Sequence, residues 1–305
     1  MTDLIHLSPE IDGALRDHRP VVALESTLIT HGLPWPENAA TALAMEAAVR
    51  ESGAVPATIA VLAGCITVGL SREQIEDLAH RPSGSVRKCS RRDLPIVVGR
   101  GEDGATTVAG TMIVAHRAGI RVFGTGGIGG VHRGAPFDVS ADLMELGRTP
   151  VAVVCAGPKA ILDVPLTLEV LETHGVPVIG LGTDTLPGFY TRSSGLAIDV
   201  RVDTPREAAA IIAAAERMDA RHGVLVVVPV PAAEASTDDI DAAIDGAVAD
   251  ADAQGVHGKA LTPFLLRRVS ELSGGASLRA NQALLVHNAR TAGLIARELS
   301  TLAVR

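Results

Sequence analysis

The chain has 305 residues, 47% of them hydrophobic, which is ample for a large buried core, yet only 2% are aromatic, so Val, Ile, Leu and Ala must build that core. Few rings are available to stack on bases, and a formal net charge of −8 opposes a groove that tracks phosphates, so nucleic acid is excluded as an expected partner. The three cysteines, Cys65, Cys89 and Cys155, are scattered without CxxC spacing, which argues against a disulfide framework or a zinc knuckle. The first residues, with Asp3, His6, Glu10 and Asp12, hold no apolar signal segment, and no run of about 18 apolar residues suggests a membrane span. The expected address is a reducing cytoplasm.

In chain order, Val21–Leu24 reads as a strand. Pro36–Ser52 reads as a helix, with Pro36 near its first turn and Gly53 suited to the position past its end. Ala57–Ala63 is a second strand. Ser71-Arg72-Glu73-Gln74 has the spacing of a capping box opening a helix to about His80. Ile96–Val98, Ile120–Phe123, Val151–Cys155, Val176–Leu181 and Val224–Val228 are short apolar runs of the kind buried central strands show. Helical patterns cover Thr106–Ala118, Val164–His174 and Pro205–Arg221, and after about Pro229 the strands stop. An acidic, Ala-rich stretch, Ala232–Ala253, precedes helices expected over Thr262–Leu272 and Leu278–Leu302. This alternation predicts an α/β fold, a mainly parallel sheet covered on both faces, with a helical C-terminal cap on the same single domain spanning residues 1–305.

Gly124-Thr125-Gly126-Gly127-Ile128-Gly129 matches GxGxxG after an apolar strand, but Gly130-Val131-His132-Arg133-Gly134-Ala135-Pro136 follows, which cannot open the helix a dinucleotide site needs. The better reading is a close-approach loop at a strand's carboxyl end, where open α/β sheets bind ligands. Asp138-Val139-Ser140-Ala141-Asp142 would place three polar side chains on one face if extended. It either contributes to a hydrated hard-cation site or caps a helix beginning near Ala141. Lys88-Cys89-Ser90-Arg91-Arg92 is the densest basic cluster, expected in a loop. With Thr106-Thr107 at a helix start it either receives one phosphate or forms a solvated surface. Glu25, at the end of the first strand, suits a general acid or an ordinary cap. Lys159 follows an apolar strand through Ala156-Gly157-Pro158, which aims it at the ligand edge of the sheet as a candidate amine nucleophile.

Together these segments resemble the pseudouridine-5′-phosphate glycosidase family from about Pro20 to Leu302. The resemblance rests on Ala23–Gly32, Lys88–Asp93, Gly126–Gly134, Asp138–Leu143 and Cys155–Lys159, with Thr262–Leu266 and Ala280–Leu284 behind them. It implies reversible cleavage of pseudouridine 5′-phosphate to uracil and ribose 5-phosphate by a homotrimer with an α/β/α sandwich fold and a divalent metal, typically Mn²⁺. By the same resemblance Lys159 is the covalent nucleophile, Glu25 the proton donor and Asp138 the metal ligand. Lys88, Val108, Ser140, Ala141, Asp142 and Asn281 would contact substrate. The stretch between Arg133 and Asp138 departs from the family pattern by being shorter. An aldolase-like lysine enzyme on another sugar phosphate, or a non-catalytic sugar-phosphate sensor, are the rival expectations.

Overall fold

The computed structural model describes residues 4–82, 84–235, 240–256 and 261–303. Its main sheet runs in the order Ile5–Leu7, Cys65–Val68, Val55–Leu62, Val21–Leu24, Val122–Gly124, Ala152–Cys155, Val224–Val227, Val178–Leu181 and Val200–Val202. From Val21–Leu24 to Val200–Val202 every pairing is parallel. The antiparallel pairings lie at the other end, where Val55–Leu62 meets Cys65–Val68 and Gly104–Thr106.

The centre of the sheet is buried on both faces because the strands Val21–Leu24, Ala152–Cys155 and Val224–Val227 are apolar at every position. In Val21–Leu24, Val22 and Leu24 enter one core while Val21 and Ala23 enter the other, the two-residue alternation of a strand. Ala152–Cys155 and Val224–Val227 divide in the same way. Helices Glu37–Glu51, Pro205–Arg217 and Ala276–Ala303 cover the first face, joined by Ile240–Ala253 and Leu261–Leu272. Helices Pro9–Arg16, Leu94–Arg100, Val108–Ala118, Ala141–Leu146 and Val164–Thr173 cover the second. The result is the three-layer α/β/α sandwich expected from the pattern, with the C-terminal helices laid over one face.

Local signals explain several boundaries. Ser71 and Gln74 form the expected capping box, and a second one joins Thr204 to Glu207. Gly53, at φ 88°, follows the helix Glu37–Glu51 as anticipated. Three expectations are corrected. Ile96–Val98 is no strand but part of the helix Leu94–Arg100, since Leu94 and Val97, three apart, are buried while Ile96 is 41% exposed. Lys88 lies not in a loop but in the short strand Arg87–Cys89, paired in parallel with Gly104–Thr106. That pairing makes Thr106 a strand residue, and the helix starts at Val108 with Thr107 as its cap.

A smaller sheet orders Leu162–Asp163, Val131–His132 and Ala135–Val139. The short stretch after Arg133 is the turn and returning strand of this hairpin, with Gly134 at φ 71°. Residues 236–239 and 257–260, which flank the helix Ile240–Ala253, lie outside the described residues. Among the described residues no helix is long and apolar enough to cross a membrane.

Candidate active site

After Val21–Leu24 the chain winds outward to Val55–Leu62, and it later returns to lay Val122–Gly124 on the opposite side of Val21–Leu24. The strand order therefore reverses between these two neighbours, and a crevice opens at their carboxyl ends. A cavity of about 590 Å³ occupies that edge. Glu25 and Thr125 enter it from the two reversing strands, and Lys159 from the loop after Ala152–Cys155. The residues given a role by the family resemblance all line this cavity: Glu25, Lys88, Val108, Asp138, Ser140, Ala141, Asp142, Lys159 and Asn281.

Glu25 is buried, and two hydroxyls hold its carboxyl group: Thr27 donates to Oε2 and Thr125 to Oε1. The Thr27 oxygen also lies 3.2 Å from the Thr106 carbonyl. A hydroxyl carries one hydrogen, so Thr27 can donate to Glu25 or turn to Thr106 and accept from a protonated Glu25. The site can therefore hold this carboxyl in either protonation state, as an acid that gives up and regains a proton requires.

Lys159 is held in place by its backbone. Its N–H donates to the Ile128 carbonyl at 3.1 Å, and its carbonyl accepts from Leu162 N–H at 3.0 Å. Gly157, at φ 85°, turns the chain, and the Ile128 N–H donates to the Gly157 carbonyl at 3.1 Å. The half-buried amine has no ion pair or hydrogen bond among the described residues. Next to it, burial pushes the Cys155 thiol up to about 12, so this neighbour stays protonated and inert.

The glycine loop is a spacer between these groups. A Cβ on Gly129 would collide with Ser140 Oγ and come within 2.9 Å of Asp142 Oδ2; one on Gly127 would lie 2.6 Å from the Phe189 ring. Ser140 caps the helix Ala141–Leu146 through the Asp142 N–H at 3.2 Å. The capping reading of this segment therefore holds, and Ser140 also lines the cavity. Asp142 is buried, accepting from Ala109 N–H through Oδ1 and from Gly129 N–H through Oδ2, each at 2.9 Å. It takes up an amide of the first turn of Val108–Ala118 that had been expected for phosphate. Gly110 N–H goes to Thr107 Oγ1, and Val108 N–H is left without an acceptor among the described residues.

Asp138 lies on the returning strand of the hairpin, with Oδ2 2.9 Å from His132 Nδ1 but not aligned as a hydrogen bond, so that this buried nitrogen has no hydrogen-bond partner. Among the described residues no cluster of three or more His, Cys, Asp or Glu could cage a metal. One partly exposed carboxylate beside an unsatisfied imidazole nitrogen fits a Mg²⁺- or Mn²⁺-like ion that keeps most of its water and takes oxygens from substrate.

Sequence reasoning missed Thr27, Thr125, His132, Arg148 and Phe189, which also line the cavity. Thr125 was visible only as a member of the glycine string, and Arg148 as an unremarked charge after a short helix. The C-terminal helix closes the inner wall: Asn288 donates to the carbonyls of Thr125 and Gly126 at 2.9 and 3.2 Å.

The sequence profile described as Indigoidine synthase A like protein matches residues 10–298. A pseudouridine-5′-phosphate glycosidase of Hahella chejuensis is 54% identical, covering 97% of this chain and 98% of its own. The protein of that name from Escherichia coli is 54% identical, covering 99% and 97%. Among solved structures, the prealnumycin C-glycosynthase AlnA in complex with ribulose 5-phosphate superposes with a TM-score of 0.91 at 41% identity, covering 100% of this chain and 99% of its own. An indigoidine synthase A-like protein of Thermotoga maritima superposes at 0.88 with 36% identity, covering 97% of each chain. Likeness of this extent, in sequence and in backbone, leaves one assignment: the chain belongs to the pseudouridine-5′-phosphate glycosidase family.

Proposed function

We propose that this protein reversibly cleaves the C–C glycosidic bond of pseudouridine 5′-phosphate, giving uracil and ribose 5-phosphate through a Schiff base on Lys159. The observation that carries this reading is the half-buried Lys159 amine, without an ion pair or hydrogen bond among the described residues, in one cavity with the hydroxyl-held Glu25. The names of its relatives, and the sugar phosphate bound to AlnA, support the substrate class.

Ordinary glycosidases use two carboxylates and expel an oxygen. Here the leaving atom is carbon C5 of uracil, which needs a stronger driving group. Electron donation from uracil N1, which gives up its proton, breaks the C1′–O4′ bond; O4′ takes that proton and C1′ becomes electrophilic. The Lys159 nitrogen bonds to C1′, the electron pair returns to the uracil ring, and the nitrogen passes one proton to uracil N1, which restores its lone pair. That lone pair then forms C1′=N as the C1′–C5 bond breaks, and Glu25 delivers a proton to C5. Water adds to the imine carbon and releases ribose 5-phosphate, returning the amine and giving Glu25 back its proton. Lys88, the Val108 amide and the Ser140–Asp142 segment hold the sugar phosphate, and Asn281 on the C-terminal helix faces the remainder of the cavity's contents. Asp138, with His132 beside it, would hold a divalent cation, Mn²⁺ by family resemblance, which supplies positive charge to substrate oxygens when bound. We further propose a cytoplasmic homotrimer. Three cysteines outside any disulfide suit a reducing compartment, and subunit contacts would account for the exposed apolar Phe137, Val139 and Met144.

The test is uracil release from pseudouridine 5′-phosphate with Mn²⁺ by wild type and Lys159→Ala, joined to borohydride trapping with ribose 5-phosphate. Wild type should release uracil and gain a stable adduct on Lys159, and the variant should do neither. An active Lys159→Ala would overturn the covalent mechanism. Binding without uracil release would leave a sensor, and trapping without uracil an aldolase-like enzyme.

A further inference from the structure

The mechanism above leaves unused an arginine pair on the cavity wall. Arg91, Arg92 and Arg148 all line the cavity, and a single carboxylate, Glu145, organises two of them. Glu145 projects from the helix Ala141–Leu146, and its side chain is 0% exposed. Its Oε2 accepts from Arg91 Nε at 2.8 Å and Arg148 Nη2 at 3.3 Å. Its Oε1 accepts from Arg91 Nη2 at 2.5 Å and from the Thr149 hydroxyl.

We propose that Glu145 is a positioning residue that presents Arg91, with Arg148 beside it, as the receptor for the phosphate monoester of the substrate. This rests on the reading of the cavity as a sugar-phosphate site.

Three observations support it. The Arg91–Glu145 contact uses one edge of the guanidinium, Nε and Nη2. The Nη1 hydrogens have no acceptor among the described residues, while the Arg91 side chain is 45% exposed and borders the cavity. A planar fork with one edge anchored and the other open is suited to two parallel bonds to phosphate oxygens. Next, two guanidinium groups, those of Arg91 and Arg148, on one carboxylate leave a net positive charge on this wall. A dianionic phosphate balances that charge and a neutral sugar does not. Finally, burying a carboxylate is costly unless its partners are fixed. Arg92, on the same wall, has no carboxylate partner among the described residues and so no fixed geometry.

The experiment titrates inorganic phosphate into the Mn²⁺-loaded full-length enzyme by calorimetry and measures KM and kcat for uracil release. It compares wild type, Arg91→Gln, Glu145→Gln and Arg92→Gln. Arg91→Gln and Glu145→Gln should each weaken phosphate binding and raise KM about tenfold, the scale of one charge-assisted hydrogen bond, with kcat within about threefold of wild type. Arg92→Gln should change either quantity less than about threefold, the scale of an exposed charge. Arg91→Lys, which keeps the charge and loses the fork, should fall between wild type and Arg91→Gln. Unchanged phosphate affinity in Arg91→Gln overturns the proposal, as does a loss confined to kcat. Because Arg91 is partly exposed, its variant decides the matter even where Glu145→Gln fails to fold. Wild type that binds phosphate through Arg91 but releases no uracil would refute the reaction and leave the receptor standing.

Discussion

Glu25 and Thr125 meet because their strands are in register. Leu24 pairs with Gly124 in parallel, so the next residue of each strand emerges at the same edge, where the Thr125 hydroxyl donates to Glu25 Oε1. Nothing in either local sequence announces this contact.

If Glu25 is the proton donor, its partners govern its readiness. Thr125→Val should lower kcat for uracil release by about tenfold to a hundredfold, matching the loss of one hydrogen bond to a charged group. Thr125→Ser should retain most activity. Equal activity of the valine variant would show that Glu25 needs no such hold.

The Asp138–His132 pair predicts the response to metal removal. Chelation should abolish uracil release and added Mn²⁺ should restore it. If Asp138 holds the cation as proposed, Asp138→Asn should raise the Mn²⁺ concentration for half-maximal activity at least tenfold. Full activity in chelator would remove the cation from the reaction.

Glu145 should make stability depend on acid pH. Burial raises its carboxyl, but hydrogen bonds from Arg91 and Thr149 and the charges of Arg91 and Arg148 outweigh it, so it lies below its ordinary 4.5. A depressed carboxyl contributes stability that is complete above the unfolded value and is lost as pH falls through the folded one. Thermal unfolding of wild type and Glu145→Gln should therefore differ most near neutrality and converge below about pH 4.5. A gap that is constant from pH 7 to pH 3 would contradict the ion pair.

The thiols should divide by burial. Cys65 is exposed, Cys89 and Cys155 are buried, and burial drives the Cys155 thiol up to about 12. Iodoacetamide at neutral pH should label only Cys65 in the folded protein and all three cysteines in denaturant. Labelling of native Cys155 would mean that the loop carrying Lys159 opens.

Much of the fold was legible because its strands are continuous apolar runs and its helices carry caps. Val21–Leu24 appears as expected, and Ser71 and Gln74 close the anticipated box. Ile96–Val98 misled because three apolar residues in a row satisfy a strand or a helix, and only burial of Leu94 and Val97 on one face decides between them. The candidate site was legible as a set of residues. Its internal bonds were not, since Asp142, read as a substrate contact, also ties Ala109 to Gly129 from 33 and 13 residues away.

By itself, the sequence determined that an apolar parallel sheet would form and that Glu25 and Lys159 would stand at the ends of its strands, because periodicity and turn chemistry act locally. Tertiary structure decided which ends are neighbours. Strand order and register set Thr125 against Glu25, and the packing of Ala141–Leu146 against Val108–Ala118 brought Glu145 to Arg91, 54 residues away. Such contacts depend on how distant segments share one core, and no periodicity along the chain records that.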